Sequence, residues 1–284
     1  MAELWIIYTS KHDYESIDNQ AYKMNQAAID NGIDSEVKFA EYFDFKDGKI
    51  YYKEHLEEVL PKIAFLRCNY IDLAKSFESF GIRCINNSFA ITNATDKALA
   101  HHLVSNLNIP QINGEICDNL DYEYIISKYG KPFILKDRFG LQGKNIYLVK
   151  SKFKYDILKR RKDLSTYLVQ EYIEYSRGKD VRLYFSGDEF VGSVLRKNKR
   201  GLVSNINGGG LAYDFKATDE LISNGKKIKE ALKGDIISVD FVFKNENEFL
   251  FCEANTNAGF KSYTFLGYDM RSHFMNYIKE ELKK

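Results

Sequence analysis

The chain carries acidic side chains inside two apolar segments near its carboxyl end. Asp240 lies in the middle of IISVDFVF, and Glu253 and Asn255 close the segment FLFCEAN. Residues two apart on a strand face the same side of a sheet, so three oxygen donors converge if the two strands pair. Carboxylate and amide oxygens suit a hard cation such as Mg²⁺. A solvated strand end held by salt bridges is the alternative.

A loop with two glycines follows another apolar segment. Lys136 ends the segment PFILK, and the run RFGLQGKN places Gly140 and Gly143 three residues apart. Backbone N–H groups in such a loop can surround phosphate oxygens, and the ammonium of Lys136 could reach a phosphate as a point charge. The loop matches neither GxxxxGKS/T nor GxGxxG, so it predicts neither a P-loop nor a Rossmann site. An ordinary hairpin loop is the alternative.

A third group of polar residues lies in VQEYIEYSRGKDVR. Glu171, Tyr172 and Ile173 end a strand and lead into a linker, whose free backbone groups could meet the edge of an adenine. Asp180 and Arg182 are two apart on the next strand and would share a face. The aspartate could hold ribose hydroxyls, and the arginine could hold a phosphate or carboxylate through its planar fork. A surface ion pair is the alternative.

The elements that must position these residues change character along the chain. Strands and helices alternate over about the first 85 residues, which is typical of an open parallel α/β unit. One helix is expected over residues 88–106, and its His101 and His102 are expected to be surface or structural residues. After Lys179 the pattern becomes rich in antiparallel hairpins. These changes predict three domains, over residues 1–87, 88–175 and 176–284.

Length and composition limit the classes of function. The chain has 284 residues, with 41 Lys and Arg against 40 Asp and Glu, so its formal net charge is +1. No global basic field favours nucleic acid or a membrane surface as a partner. The four cysteines form no CxxC pair. Neither a secretory segment nor an apolar run of about 18 residues is evident, so we expect reduced thiols in a cytoplasmic protein.

Taken in order, these segments resemble the ATP-grasp superfamily and, within it, the RimK-like branch of carboxylate–amine ligases. The resemblance runs from about Asp96 to the carboxyl end and rests on the series Lys97, KPFILK, FGLQG, VQEYI, GKDVR, SVLR, SNINGGG, SVDF and CEANTNAGF. It implies an α/β (α+β) ATP-grasp fold. In this fold an amino-terminal pre-ATP-grasp α/β domain precedes a central lid and a carboxyl-terminal antiparallel sheet that carries the metal site.

The resemblance also implies a role for each matching residue. Arg182 and Arg196 would be catalytic and would steady the transferred phosphate and the acyl phosphate. Magnesium would bind Asp240, Glu253 and Asn255. The ATP-binding positions would be Lys97, Lys136, Gln142, Gly143, Glu171, Tyr172, Ile173, Asp180, Ser204 and Asn205.

The implied reaction uses ATP to join a carboxylate to an amine through an acyl phosphate, and it releases ADP and phosphate. ATP and Mg²⁺ are the expected cofactors, with two ions expected and Mn²⁺ as a substitute. The expected partners are small-molecule or peptide carboxylates and amines, without nucleic acid or membrane, and a homo-oligomer is left open. Two alternatives stay open: another ATP-grasp activity, such as a kinase or a carboxylate–thiol ligase, and a nucleotide-binding regulatory protein. Val203, where the family often has arginine, leaves the substrate undetermined.

Overall fold

The amino-terminal strands form a parallel sheet, as their alternation with helices predicts. The computed structural model describes residues 2–11, 20–140, 143–257 and 259–284. Its first elements are β1 (Leu4–Tyr8), α1 (Gln20–Asp30), β2 (Ser35–Phe39), β6 (Ile63–Leu66), α2 (Ile71–Ser79) and β7 (Arg83–Ile85). The sheet has the order β2-β1-β6-β7, and its three pairings are parallel. Every residue of β1 is buried, as expected for a parallel strand covered on both faces.

A small antiparallel sheet interrupts this alternation. It contains β3 (Phe43–Lys46), β4 (Lys49–Tyr52) and the two-residue strand β5 (His55–Leu56). Asp47 and Gly48 form the turn between β3 and β4, and both have positive φ angles, of 53° and 67°. Such angles match the twist of the flanking strands.

The prediction of a single helix over residues 88–106 is wrong, because the chain forms two helices there. They are α3 (Ser88–Thr95) and α4 (Lys97–Ser105), and they meet at Asp96. Asp96 has the extended angles φ −86° and ψ 101°, and its carboxylate accepts from the backbone N–H groups of Ala98 and Leu99. The guanidinium of Arg138 also holds this carboxylate, at 2.6 and 2.5 Å. The break places Lys97 in the first turn of α4.

The middle part of the chain forms an antiparallel sheet of the order β10-β9-β11-β8. Its elements are β8 (Gly114–Ile116), α5 (Tyr122–Tyr129), β9 (Phe133–Asp137), β10 (Ile146–Val149), α6 (Lys152–Arg161) and β11 (Tyr167–Glu171). Helices α5 and α6 pack against one face of this sheet through an aromatic core that includes Tyr122, Phe133 and Tyr155. The opposite face is therefore left for the cleft described below.

The carboxyl-terminal part forms a five-stranded antiparallel sheet with a helix on each face. The elements are β12 (Lys179–Ser186), β13 (Glu189–Lys197), β14 (Leu211–Asp214), α7 (Asp219–Ala231), β15 (Ile236–Phe243), β16 (Phe249–Asn255), α8 (Lys261–Phe265) and α9 (Met270–Leu282). The order is β14-β13-β12-β15-β16. Val181, Leu183 and Phe185 of β12 pack in the same core as α7. The alternate residues Asp180 and Arg182 therefore face the other side of the sheet.

The amino-terminal sheet and the five-stranded sheet share one core. Leu4, Ile6 and Phe65 lie in the same buried cluster as Tyr184 and Phe274. Each sheet lies inside one of the three intervals predicted from the sequence, although the exact boundaries of those intervals stay a prediction. No helix in the described ranges is both long and apolar enough to cross a membrane.

Candidate active site

A cleft of about 810 Å³ opens between the middle sheet and the five-stranded sheet. Ile134 and Lys136 line it from β9, and Asp240 and Val242 line it from β15. Each pair is two residues apart and so shares a face of its strand. The apolar part of the lining consists of Ile112, Ile134, Ile146, Ile173, Leu202, Val203 and Val242. A largely apolar cleft with a few convergent polar groups suits a planar base joined to a polar chain.

Most of the predicted site residues meet at this cleft. Those that line it are Lys136, Gly143, Glu171, Tyr172, Ile173, Asp180, Ser204, Asn205, Asp240 and Glu253. Lys97 and Asn255 line a smaller neighbouring cavity, and Glu253 lines both spaces. Arg182 and Arg196 are buried next to Asp240. Gln142 lies outside the described residues.

Four charged side chains form a buried network beside the cleft. Arg182 donates to both carboxylate oxygens of Asp240, each at 2.6 Å. Arg196 donates to both oxygens of Asp180, at 2.7 and 2.6 Å, and also to Asp240, at 2.8 Å. Ser204 donates to Asp180 at 2.5 Å. Two guanidinium groups thus balance two carboxylates, and the loop that carries Ser204 is attached to them.

The two aspartates of this network differ in acidity. Burial alone would raise the pKa of Asp240, but the guanidinium groups of Arg182 and Arg196 outweigh it and hold that pKa below its usual value. The pKa of Asp180 is raised, first by burial and then by the charge of Asp240, which the single guanidinium of Arg196 does not fully offset. Asp240 is therefore the more firmly ionised carboxylate.

Two lysines bring ammonium groups to the end of the cleft near Glu253. The Lys136 ammonium donates to the carbonyl of Cys252 at 3.4 Å, and the Lys97 ammonium donates to the carbonyl of Gly140. Burial lowers the pKa of Lys97, and the charge of Lys136 lowers it further, while Glu253 acts in the opposite direction. In the described part of the chain neither lysine forms a salt bridge within 4.0 Å. Such a pair of cations suits the oxygens of a phosphate chain.

The other end of the cleft has the features expected of an adenine hinge. Glu171 ends β11, and its carboxylate accepts from the backbone N–H of Asn113 at 2.9 Å. Ser176 donates to the carbonyl of Lys179 and accepts from the N–H of Phe243, which fixes the linker after Ile173. The backbone of this linker lines the cleft, where a base could exchange hydrogen bonds with it.

Gly143 brings the loop after β9 close to Asn205. Its φ is +72°, and a Cβ atom added there would lie 2.6 Å from the side-chain nitrogen of Asn205. Only glycine fits this angle and this approach. The two predicted ATP-binding positions are therefore in direct proximity.

His101 supports the end of the cleft near Glu253 from behind. Its Nδ1 lies 2.9 Å from the amide oxygen of Gln111, and its Nε2 lies 3.1 Å from the carbonyl of Cys252 and 3.2 Å from the amide nitrogen of Gln170. Burial, followed by the charge of Lys136, lowers the pKa of His101 to about 3. A neutral imidazole therefore packs beneath the carbonyl that accepts from Lys136, which agrees with the expected structural role.

The residues predicted to bind magnesium fit a hard cation. Asp240 and Glu253 are directly opposed in the β15–β16 pairing, and Asn255 pairs with Ser238, so the predicted shared face is confirmed. Asp240 accepts one hydrogen bond at Oδ1 and two at Oδ2, which leaves a lone-pair position at Oδ1. No group among the described residues donates a hydrogen bond to the Glu253 carboxylate.

The donor set nevertheless remains incomplete without further oxygens. Among the described residues no cluster of three or more His, Cys, Asp or Glu could hold a metal by itself. Mg²⁺ commonly keeps waters and phosphate oxygens in its coordination shell. Asp240, Glu253 and Asn255 could hold such an ion together with a nucleotide, and their metal role stays a prediction.

Several residues that shape the site were not among the predicted ones. They are the apolar lining residues Ile112, Ile134, Ile146, Leu202 and Val242, together with His101 and Gln170. Alternation on a strand could have identified Ile134 from Lys136 and Val242 from Asp240. His101 gives no such signal, because its partners come from three separate parts of the chain.

A family model decides which group of proteins the chain belongs to. The model of the RimK-like ATP-grasp domain matches residues 94–278. The chain belongs to this family. The match includes every predicted ATP-binding, catalytic and metal-binding position.

Two curated relatives match most of this chain in sequence. The chain is 30% identical to the uncharacterised protein MG012 of Mycoplasma genitalium, over 83% of this chain and 86% of that one. It is 29% identical to a probable alpha-L-glutamate ligase of Parasynechococcus marenigrum, over 80% of this chain and 49% of the ligase. The chain therefore spans about half the length of that ligase.

Solved structures share the fold over nearly the whole chain. A RimK-domain ATP-grasp protein from Sphaerobacter thermophilus superposes with a TM-score of 0.75 at 17% identity, over 97% of this chain and 99% of that one. The ATP-grasp ligase PsnB, solved with a precursor variant, Mg and ADP, gives 0.74 at 14% identity, over 100% and 99%. The predicted ATP-grasp fold, the RimK-like family and the class of ATP-dependent carboxylate–amine ligase are confirmed.

Breaking the buried charge network should destabilise the protein strongly. Replacing Arg196 with Met leaves Asp180 without its guanidinium partner, so we expect a loss of about 3–5 kcal/mol in the free energy of unfolding, measured by urea denaturation. The exposed neighbour on the same strand supplies the control, and Lys197→Met should change stability by about 0.5 kcal/mol or less. Equal effects of the two substitutions would contradict the network's importance.

His101 should make stability depend on pH in a defined window. Because its pKa is about 3 in the folded chain and 6.5 in the reference state, the unfolded chain binds the extra proton as pH falls below about 6.5. This contribution to stability is complete above pH 6.5 and is lost toward pH 3, by at most about 1.4 kcal/mol per pH unit. His101→Asn should therefore flatten the decline in unfolding free energy between pH 6.5 and 4.5. The exposed His102→Asn is the control and should keep the wild-type slope.

Proposed function

We propose that this ligase activates a carboxylate as an acyl phosphate and then joins it to the amino group of an amino acid. The arrangement around Glu253 carries the proposal. This carboxylate faces the nucleotide cleft on one side and a polar cavity on the other, with Lys136 and Lys97 nearby. Two substrates could therefore meet at one charged wall.

The first step requires a phosphoryl group to move to a carboxylate oxygen. The hinge at Glu171–Ile173 would bind the adenine, which directs the phosphates toward Lys136 and Lys97. Their ammonium groups would offset the charge that spreads over the phosphate oxygens during transfer. When bound, Mg²⁺, which we propose as two ions held by Asp240, Glu253 and Asn255, would supply further charge compensation. The bond from phosphorus to the ADP oxygen breaks as the bond to the carboxylate oxygen forms.

The second step requires an amine to attack the acyl carbon. The nitrogen forms a bond to that carbon, the carbon–oxygen bond to phosphate breaks, and the nitrogen releases a proton that the departing phosphate can accept. Two aspartates already hold Arg182 and Arg196 in fixed positions, so these side chains would lose little freedom when a phosphate binds. Fixed charges of this kind stabilise a leaving phosphate more effectively than mobile solvent does.

The relatives suggest the class of amine. A relative that is 29% identical bears the name "Probable alpha-L-glutamate ligase", so we propose glutamate as the amine and a small-molecule or peptide acid as the carboxylate. We also propose that the three sheet units act as separate domains around the cleft. A cytoplasmic location is supported by the four cysteines, all of which are free thiols.

The function is tested by following product formation with a panel of acids and amines. A ligase should release ADP only when ATP, Mg²⁺, an acid and an amine are all present, with one amide formed per ADP. ADP release without an amide would favour a kinase or a thiol ligase. Nucleotide binding without turnover under every combination would favour a regulatory protein.

Glu253→Gln should abolish turnover while the fold survives. The change keeps the side-chain volume but removes the charge that would bind metal, and the carboxylate has no other partner among the described residues. We expect turnover to fall about 100-fold or more, as when a catalytic charge contact is removed. Calorimetry should also show ATP binding that no longer strengthens with Mg²⁺. Glu248→Gln, at an exposed position just before β16, should behave like the wild type.

Lys136→Met should weaken the binding of ATP far more than that of adenosine. The buried ammonium is directed at the phosphate end of the cleft, so its loss should cost about 1.5–3 kcal/mol in ATP affinity, the value of one charge-assisted hydrogen bond. Calorimetry with ATP and adenosine makes the comparison, and the exposed Lys150→Met is the control. An unchanged affinity for ATP would refute the phosphate role.

A further inference from the structure

A second large space, the hinge cavity, has a volume of about 710 Å³ and adjoins the nucleotide cleft. Tyr172 and Arg177 line both spaces, so the hinge cavity lies at the end of the cleft where we expect the adenine. Of the described residues that line it, none is Lys97, Lys136 or Glu253. A ligand there would lie apart from the reacting groups and would be neither the acid nor the amine.

The wall that the middle sheet contributes to the hinge cavity has a fixed backbone. Lys131 lies two residues before the start of β9, and Lys150 directly follows β10. Phe133 and Val149, which lie between them, are opposite each other in the β9–β10 pairing and are fully buried. The side chains of Lys131 and Lys150 therefore extend from defined positions at the ends of two neighbouring strands.

The wall that the linker after the hinge contributes is anchored on both sides of Arg177. Ser176 donates to one backbone carbonyl and accepts from one backbone N–H. The N–H of Gly178 donates to the carbonyl of Leu202 at 3.1 Å, and the carbonyl of Gly178 accepts from the N–H of Asn198 at 2.7 Å. Arg177 is thus held between two bonded residues, and the cavity is not the result of a loose segment.

The hinge cavity carries an excess of positive charge. Lys131, Lys150 and Arg177 line it, and among the described residues of its lining Glu174 is the one acid. In the described part of the chain none of the three cations forms a salt bridge within 4.0 Å. Three cations against one carboxylate leave about two positive charges. A phosphate monoester carries about −1.5 to −2 near pH 7, so it matches this excess.

The rest of the lining suits an organic body attached to such an anion. Leu148 is opposite Ile134 in the β9–β10 pairing, and Ile134 lines the cleft, so Leu148 lies on the cleft face of the sheet. Together with Pro132 and Tyr172 it forms an apolar wall beside the cations. The carboxylate of Glu174 can accept a hydrogen bond from a hydroxyl or N–H group of the same ligand. An inorganic ion would use none of these residues.

We propose that the hinge cavity binds a phosphate monoester with an organic body and that this ligand is an effector of nucleotide binding. The phosphate contacts the three cations, and the body packs against the apolar wall. Because Tyr172 and Arg177 line both spaces, each ligand orders part of the wall that the other one uses, and the two bind more tightly together than alone. The inference requires a nucleotide in the cleft but does not depend on the ligase reaction.

Calorimetry on the full chain tests the site while the cleft is saturated with Mg²⁺ and a nonhydrolysable ATP analogue. The probes are phenyl phosphate, ribose 5-phosphate, phenol and inorganic phosphate. At least one of the two monoesters should bind about 10-fold or more tightly than both phenol and inorganic phosphate, because it alone combines charge with a body. Preference for phenyl phosphate would identify an aromatic body, and preference for ribose 5-phosphate would identify a sugar. Monoesters that bind no better than inorganic phosphate would overturn the site.

Variants of the two lysines separate a site from a general effect of charge. Lys131→Met and Lys150→Met should each weaken binding of the preferred monoester about 5-fold or more, since each removes a charged contact to the phosphate. The control is Lys159→Met, which removes the same charge from an exposed position on α6, a helix on the opposite face of the middle sheet. It should stay within about 2-fold of the wild type. Equal losses in all three variants would show that the cations act only as a solvated surface field.

The effector role is tested by titrating the ATP analogue with and without the saturating monoester. The monoester should tighten binding of the analogue about 5-fold, at the lower end of typical couplings, and by reciprocity the analogue should tighten binding of the monoester equally. Lys150→Met should keep the wild-type affinity for the analogue when the monoester is absent and should lose the increase when it is present. An unchanged affinity in the wild type would refute the effector role. A weaker affinity would show that the monoester competes for the phosphate end of the cleft, which would overturn the site.

Discussion

The buried charges on three adjacent strands are the constraint on which the site depends. Asp180 lies opposite Arg196 in the β12–β13 pairing, and Arg182 lies opposite Asp240 in the β12–β15 pairing. A shift of one residue in either pairing would move these side chains to the opposite face of the sheet. Removing four charges from water is costly unless each has a partner, so the sheet tolerates them only in this register. The network thus fixes the strand alignment as well as the positions of the charges.

The same network determines where uncompensated charge remains. Because the two arginines are balanced by the two aspartates, the phosphate end of the cleft owes its positive charge mainly to Lys97 and Lys136. Burial lowers the pKa of Lys97, which means that it disfavours the charged ammonium in the free protein. A bound polyanion would stabilise that charged form. The two lysines, and Glu253, which accepts no hydrogen bond from the described residues, are therefore available to a ligand, whereas the arginine–aspartate network keeps the floor of the site rigid.

Local patterns in the sequence predicted the parts of the site that lie on single strands. The alternation of residues placed Asp240 opposite a strand carrying Glu253 and Asn255, and the pairing confirms it. The break at Asp96 was missed because the helical pattern continues on both sides of it; its local signal is the preference of aspartate for the N-cap position, and a distant guanidinium also holds the carboxylate. Arg138, which does so, lies 42 residues later. The low pKa of His101 could not be predicted from the sequence either, since it depends on Lys136 and on burial beneath β16. These features arise from contacts between distant segments.

Glu253 lies between the cleft and the small cavity, and different parts of the protein line these two spaces. The nucleotide cleft is built from the middle and five-stranded sheets, whereas the small cavity also uses Asn69 from the amino-terminal sheet. Asn69 therefore reaches the small cavity without lining the cleft, so a substitution there need not disturb the hinge or Lys136. Asn86 connects the sheets through four hydrogen bonds to the backbone around β15 and Thr256, so this separation of roles does not loosen the contact between them.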